Sequence, residues 1–241
     1  MRGYIFTVLS AAALLAACEA DNYDSGTGEY SLMTGDLVEI YSNSSGYLTS
    51  FITDDNTSFT LTKNITTSWA TSPDSAYRAR LYYNLVDEDA GLAEAVSIAE
   101  VPVLTPFTPD SMEVIYTDPI TLESVWTSKN NKYVNMSIYL MVGTSDEIID
   151  YQTVGMMRDS VVYNADGTST LYLTFYHSQG DVPEYYSQKY YISLLTQSLV
   201  ASAQRQSPQS EASFVLADSV SISVNTYDDG LVTKVLSIDA D

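Results

Sequence analysis

Tyr77-Arg78-Ala79-Arg80-Leu81-Tyr82-Tyr83-Asn84-Leu85 alternates with a period of two. In an extended chain this puts Tyr77, Ala79, Leu81, Tyr83 and Leu85 on one face and Arg78, Arg80, Tyr82 and Asn84 on the other. The stretch predicts a long strand with one face in a core and the other in solvent. Upstream, shorter runs at 37–41, 47–53 and 58–62 are separated by Asn43-Ser44-Ser45-Gly46 and Asp54-Asp55-Asn56, residue types that favour turns. Together these runs predict a small antiparallel barrel.

Downstream, 101–110 carries Pro102, Pro106 and Pro109, which argues against a central strand and for a linker or stiff crossover. Beyond it, Val134, Met136, Ile138, Leu140 and Val142 alternate with Tyr133, Asn135, Ser137, Tyr139 and Met141. Leu171, Leu173 and Phe175 alternate in the same way with Tyr172, Thr174 and Tyr176. Asn164-Ala165-Asp166-Gly167 and Tyr227-Asp228-Asp229-Gly230 each join two apolar runs and signal hairpins. The sum is a β-sandwich of about seven strands. The fold class expected is therefore all-β, an OB-like barrel over 30–105 followed by a sandwich over 106–241.

The chain opens with Met1-Arg2-Gly3 and an apolar run at 4–17, of signal-peptide length and too short for a permanent membrane helix. Leu15-Ala16-Ala17-Cys18 ends that run and resembles a bacterial lipobox. Cys18 is the only cysteine, so no disulfide competes for it, and lipid attachment accounts for an odd Cys in an exported chain. Residues 1–17 are expected to be removed, leaving the membrane as a partner through an N-terminal lipid. The acidic, Gly-containing stretch 18–29 has little to bury and is expected to be a flexible tether. It also looks like the signal that carries lipoproteins of the Bacteroidota to the outer face of the outer membrane. The expected location is thus the cell envelope, lipid-anchored, at the outer membrane.

In 241 residues there are 10 Lys plus Arg against 31 Asp plus Glu, a net charge of −21. Binding to a phosphate backbone rests on neutralisation by Lys and Arg, so nucleic acid is excluded as a partner. With 45% hydrophobic and only 17% charged residues the chain is too apolar for an acidic disordered protein. One His and one Cys leave a Cys/His zinc site without ligands. No metal or cofactor is expected.

A lipobox Cys, an acidic tether, a strand-rich first part containing 77–85, a Pro-containing crossover and a second all-β part together resemble the NigD-like lipoproteins. The resemblance covers essentially the whole chain. It implies an N-terminal OB-type barrel and a C-terminal β-sandwich, the split drawn above from periodicity. The family takes its name from an operon for a bacteriocin, which implies export or immunity rather than any particular activity.

Tyrosine is the compositional oddity, 20 against 6 Phe and 2 Trp. Tyr133, Tyr139, Tyr172 and Tyr176 fall opposite the aliphatic residues of their strands, where flat amphipathic rings can stack on a sugar or anchor a protein. The competing reading is that Tyr is a favoured half-buried strand residue. Arg78 and Arg80 share a strand face and as a pair can hold one carboxylate or phosphate; the competing reading is a solvated face against nearby acids. Asp-Ser followed by a small or aliphatic residue recurs and looks like the O-glycosylation site of Bacteroidota envelope proteins, with Ser75 and Ser111 as candidates in loop-like stretches. The lone His177 reads as structural, and there is no Gly-x-Ser-x-Gly elbow.

These features point to a non-catalytic envelope lipoprotein that binds an extracytoplasmic protein or glycan. Two other readings stay open on the sequence: a carboxylate-dependent glycan hydrolase, whose paired acids would be invisible in one dimension, and an accessory or immunity protein of bacteriocin export.

Overall fold

Fifteen strands, with no α-helix among the described residues, make up the computed structural model, which describes residues 33–204 and 213–238. The leader, Cys18 and the acidic tether lie outside the described residues. The first five strands are β1 (Thr34–Ser42), β2 (Leu48–Thr53), β3 (Ser58–Ile65), β4 (Ala76–Asp87) and β5 (Leu92–Glu100). They close in the order β1-β2-β3-β5-β4, with β4 returning antiparallel to β1 and β3 running parallel to β5. This is a five-stranded barrel of OB type.

The alternation of 77–85 sets which residues enter the barrel. Ala79, Leu81 and Tyr83 are buried inside with Val38, Ile40, Leu48 and Leu61. Phe51 stacks on Phe59 at 5.2 Å between ring centroids and meets Tyr83 edge-on at 4.9 Å. Closure removes the free edges that a five-stranded open sheet would leave.

The remaining strands are β6 (Val103–Leu104), β7 (Thr121–Thr127), β8 (Tyr133–Val142), β9 (Thr153–Tyr163), β10 (Ser169–Ser178), β11 (Tyr186–Leu195), β12 (Val200–Gln204), β13 (Ser213–Leu216), β14 (Ser219–Thr226) and β15 (Gly230–Ser237). Two four-stranded sheets, β15-β14-β10-β9 and β6-β11-β8-β7, face each other, and β12-β13 forms a separate ribbon. Met136, Ile138, Ile192, Leu171, Leu173, Phe175, Val220 and Ile222 fill the space between the sheets. Both Gly-containing turns join the hairpins expected of them, β9 to β10 and β14 to β15.

The prolyl stretch is stapled at its start to both halves. Val101 donates its N–H to the Arg78 carbonyl in the barrel, and the Pro102 carbonyl accepts from the Ser193 N–H in the sandwich. Val103–Leu104 is already the edge strand β6 beside β11. The barrel and sandwich strands therefore belong to one compact unit.

Candidate functional site

The outer face of β4 does not meet solvent at Arg78, although Arg80, Tyr82 and Asn84 on the same face are partly exposed. Arg78 is 5% exposed because the sandwich covers it. Its guanidinium donates to both carboxylate oxygens of Asp54, at 2.6 and 2.8 Å, to Asn135 Oδ1 at 3.0 Å and from Nε to Ser193 Oγ at 3.2 Å. Asn135 Nδ2 returns a bond to Asp54 Oδ2 at 2.9 Å, and Ser193 Oγ donates to Asn135 Oδ1 at 2.7 Å. Asp54 comes from the β2–β3 turn, Asn135 from β8 and Ser193 from β11, so a planar donor fork reads both halves at once. Both sequence readings of Arg78 are corrected: it is neither on a solvated face nor half of an anion-holding pair with Arg80, since its donors are spent on the barrel–sandwich junction.

Tyr133 is corrected in the same way. It is 5% exposed, its ring lies 3.9 Å from the Arg78 guanidinium carbon, and its hydroxyl donates to Glu39 Oε1 at 2.7 Å. Lys132 Nζ donates to Glu39 Oε2 at 2.6 Å. Burial pushes the Glu39 carboxyl up, but the bonds from Lys132 and Tyr133 outweigh it and hold the group below its ordinary value. Burial and Glu39 together raise the Tyr133 phenol. A ring expected to stack on a ligand is instead part of the junction, because the barrel sits on the outer face of the β8 sheet.

The other three tyrosines do not form one platform. Tyr139 lies on β8, half-buried, its hydroxyl donating to Glu123 Oε1 at 3.3 Å. Tyr172 and Tyr176 lie on β10, in the other sheet. Tyr172 is exposed, whereas Tyr176 packs edge-on against Phe107 at 6.1 Å and Tyr116 at 6.3 Å. Ser75, half-buried, donates its hydroxyl to the Pro73 carbonyl at 2.9 Å just before β4. Ser111 ends a short 3₁₀ turn, Pro109–Ser111.

Sequence reasoning missed a cluster at the sandwich end remote from the barrel. β8 leaves the junction at Tyr133 and ends at Val142, while β11 starts at Tyr186 and returns, so 143–152 and 179–185 lie together at the far end. There Asp181 Oδ2 accepts from the Ile149 and Asp150 N–H groups. The segment 116–119 joins them through Asp118 Oδ2, which accepts from the Gln179 N–H at 2.8 Å. The β14–β15 turn, 227–229, joins through Tyr227, whose hydroxyl donates to Glu184 at 3.1 Å. Burial and Glu184 push that phenol up to about 12.

These four segments present Tyr116, Ile149, Tyr151, Tyr185 and Tyr227 as exposed apolar surface, beside Tyr186, with Ile149 87% and Tyr185 71% open. In their 24 residues they carry eight carboxylates, Asp118, Asp146, Glu147, Asp150, Asp181, Glu184, Asp228 and Asp229, and neither Lys nor Arg. That is one acid in three, against 31 in 241 for the chain. The signal was present in the sequence, but as four separate loops whose convergence only the strand order reveals.

His177 underlies this end as a structural residue. It is buried, its Nδ1 lies 2.9 Å from the Asp118 carbonyl and its Nε2 3.1 Å from Gln152 Nε2. The Asp118 carbonyl can only accept, so Nδ1 carries a proton, and burial, which disfavours the charged ring, leaves Nε2 as an acceptor facing the Gln152 amide. Burial holds its pKa below the ordinary value, against the opposing pull of Asp118 and Glu184.

No protein-family model matches the chain, and no curated protein does. Solved structures do. A NigD-like immunity protein from Bacteroides caccae superposes with a TM-score of 0.63 at 18% identity, over 86% of this chain and 97% of that one. A protein of unknown function from Bacteroides vulgatus gives 0.60 at 14% identity, over 86% and 91%. At these identities the likeness establishes a shared fold, the one that the resemblance to NigD-like lipoproteins implies.

Proposed function

We propose that the chain, whose fold is shared with a NigD-like immunity protein, is a non-catalytic recognition module whose acidic, tyrosine-bearing loop end binds a cationic protein surface outside the cytoplasm. The observation that carries this reading is the convergence of four segments that hold eight carboxylates and neither Lys nor Arg, with exposed Ile149, Tyr151 and Tyr185, at one end of a rigid sandwich, where Lys234 of β15 borders only Asp228 and Asp229. Loops gathered at the end of a sandwich are well suited to recognition. Tyrosine supplies rigid amphipathic contact area at low entropic cost, and a one-signed rim steers an oppositely charged partner. A lipid on Cys18 and the 18–29 tether would hold this surface at the outer membrane. Recognition of a secreted toxin or of its export machinery is one task of this chemistry, and the neighbour described as an immunity protein favours it over sugar capture at the loop end.

The hydrolase reading draws no support from Glu39, Asp55, Glu123, Asp166 or Asp218, which are held below their ordinary values, the opposite of what a glycosidase's general acid requires. Photo-cross-linking in intact cells tests the proposal. A benzophenone side chain at Tyr151 or Tyr185 is expected to give a discrete protein adduct that the combined Asp146→Lys, Glu147→Lys and Asp150→Lys variant loses. The same side chain at Tyr172, on the outer sheet face, should give none. No adduct from the loop positions, or one indifferent to charge reversal, would overturn it.

A further inference from the structure

We infer that the cleft beside Arg80 is a second binding site, for a carboxylated sugar of the hexuronate class. It is a different surface from the loop end, and neither reading rests on the other. Arg80 stands two residues beyond Arg78 on the same face of β4 but is chemically its opposite. Its guanidinium carbon lies 5.1 Å from the Tyr82 ring and 5.2 Å from the Tyr191 ring. Its Nε is out of water with no hydrogen-bond partner, and no carboxylate of the described residues forms an ion pair with it. A guanidinium held between two rings beside an open cleft, with no acceptor on the chain for its donors, is arranged to take one from outside the chain.

The cleft that Arg80 borders holds about 260 Å³, enough for one sugar ring. Asp36, Asp54, Asp55, Trp126, Thr127 and Lys129 line it with Arg80. This lining selects among anions. Asp36, Asp54 and Asp55 repel a phosphate dianion more than a monoanion, and Leu37 as the one aliphatic lining residue gives a fatty acid little to bury against. A monoanionic carboxylate on a polyhydroxylated ring suits this lining: the fork of Arg80 takes the carboxylate, the lone pairs that Asp36 and Asp55 keep beyond their bonds from Tyr83 and Thr53 accept hydroxyls, and Trp126 supplies an aromatic face for the C–H side. A neutral sugar leaves the Arg80 donor unused.

The backbone makes room for this arrangement. A Cβ on Gly35 would lie 2.9 Å from Arg80 Nη2 and 2.7 Å from the Tyr82 ring, so any larger residue there would make both side chains shift from where they cross β1.

The test is titration of the mature chain with sodium glucuronate and sodium galacturonate, following the Trp126 indole N–H by NMR with Trp69 as the internal control. The expected result is a saturable shift of Trp126 but not Trp69 with at least one uronate, and affinity for glucose weaker by about tenfold or more. Arg80→Gln should lower uronate affinity by a similar factor, while Tyr172→Ala leaves it unchanged. No saturable shift of the unmodified protein with either uronate overturns the inference, whatever the folding of the variants. So does glucose binding as tightly as the uronates, or an Arg80→Gln protein that folds and binds them undiminished.

Discussion

Arg78 shows how a charge can be buried without being functional. Its side chain is 1% exposed and that of Asp54 20%, so removing the cation strips a largely covered carboxylate of its bidentate partner. Arg78→Ala is expected to lower unfolding stability by about 3–5 kcal/mol, measured as a drop in the denaturant midpoint. His177 gives a second expectation, with its sign fixed by burial. Its folded-state pKa is below the ordinary 6.5, so between those values the unfolded chain binds a proton that the native chain refuses. Stability is then complete above about pH 6.5 and falls as the pH drops through and below it. Melting temperatures from pH 7.5 to 5 should decline, and His177→Gln should flatten the decline. In the sequence Arg78 and Arg80 look equivalent, alternate positions on one strand face. What separates them is Asp54, 24 residues earlier, and Asn135, 57 residues later, and no local pattern contains either. Tyr133 was misread for the same reason, because alternation assigns a face but does not say what covers it.

Among the strands, those with strong apolar alternation were legible and those without were not. β4, β8 and β10 announce themselves by period two, and the Gly-containing turns fix two hairpins. β5 does not. Leu92–Glu100 reads Leu-Ala-Glu-Ala-Val-Ser-Ile-Ala-Glu, rich in Ala and Glu, which are depleted in strands. It is a strand because the barrel needs a fifth member between β3 and β4, a tertiary requirement that overrides local preference. Ala93 is fully buried there, opposite Leu61 on β3 and Leu85 on β4. Ala93→Asp should place an unpartnered carboxylate in the barrel and cost at least about 3 kcal/mol. Hydrogen exchange would check it: amide protection lost across β3, β4 and β5 is the expected pattern, and unchanged protection would show that β5 is dispensable to closure.

The molecule as a whole is a barrel welded to a sandwich, with the weld at one end of β8 and β11 and the acidic loops at the other. The Val101 and Pro102 backbone bonds, the Arg78–Asp54 pair and the Glu39–Lys132–Tyr133 cluster all cross or border the weld. The two halves are therefore expected to unfold in one transition by calorimetry, and two resolved transitions would show that the weld does not couple them. Rigidity at the weld matters to the proposed function because it holds the loop end at a fixed distance and orientation from the barrel. The most direct test of that function is mass-spectrometric mapping of what a cross-linker at Tyr151 reaches in the native envelope. The account predicts adducts concentrated on a Lys- and Arg-rich segment of one partner protein, with yield falling as salt rises. Adducts scattered over many proteins, or mapped to acidic or uncharged segments and insensitive to salt, would contradict it.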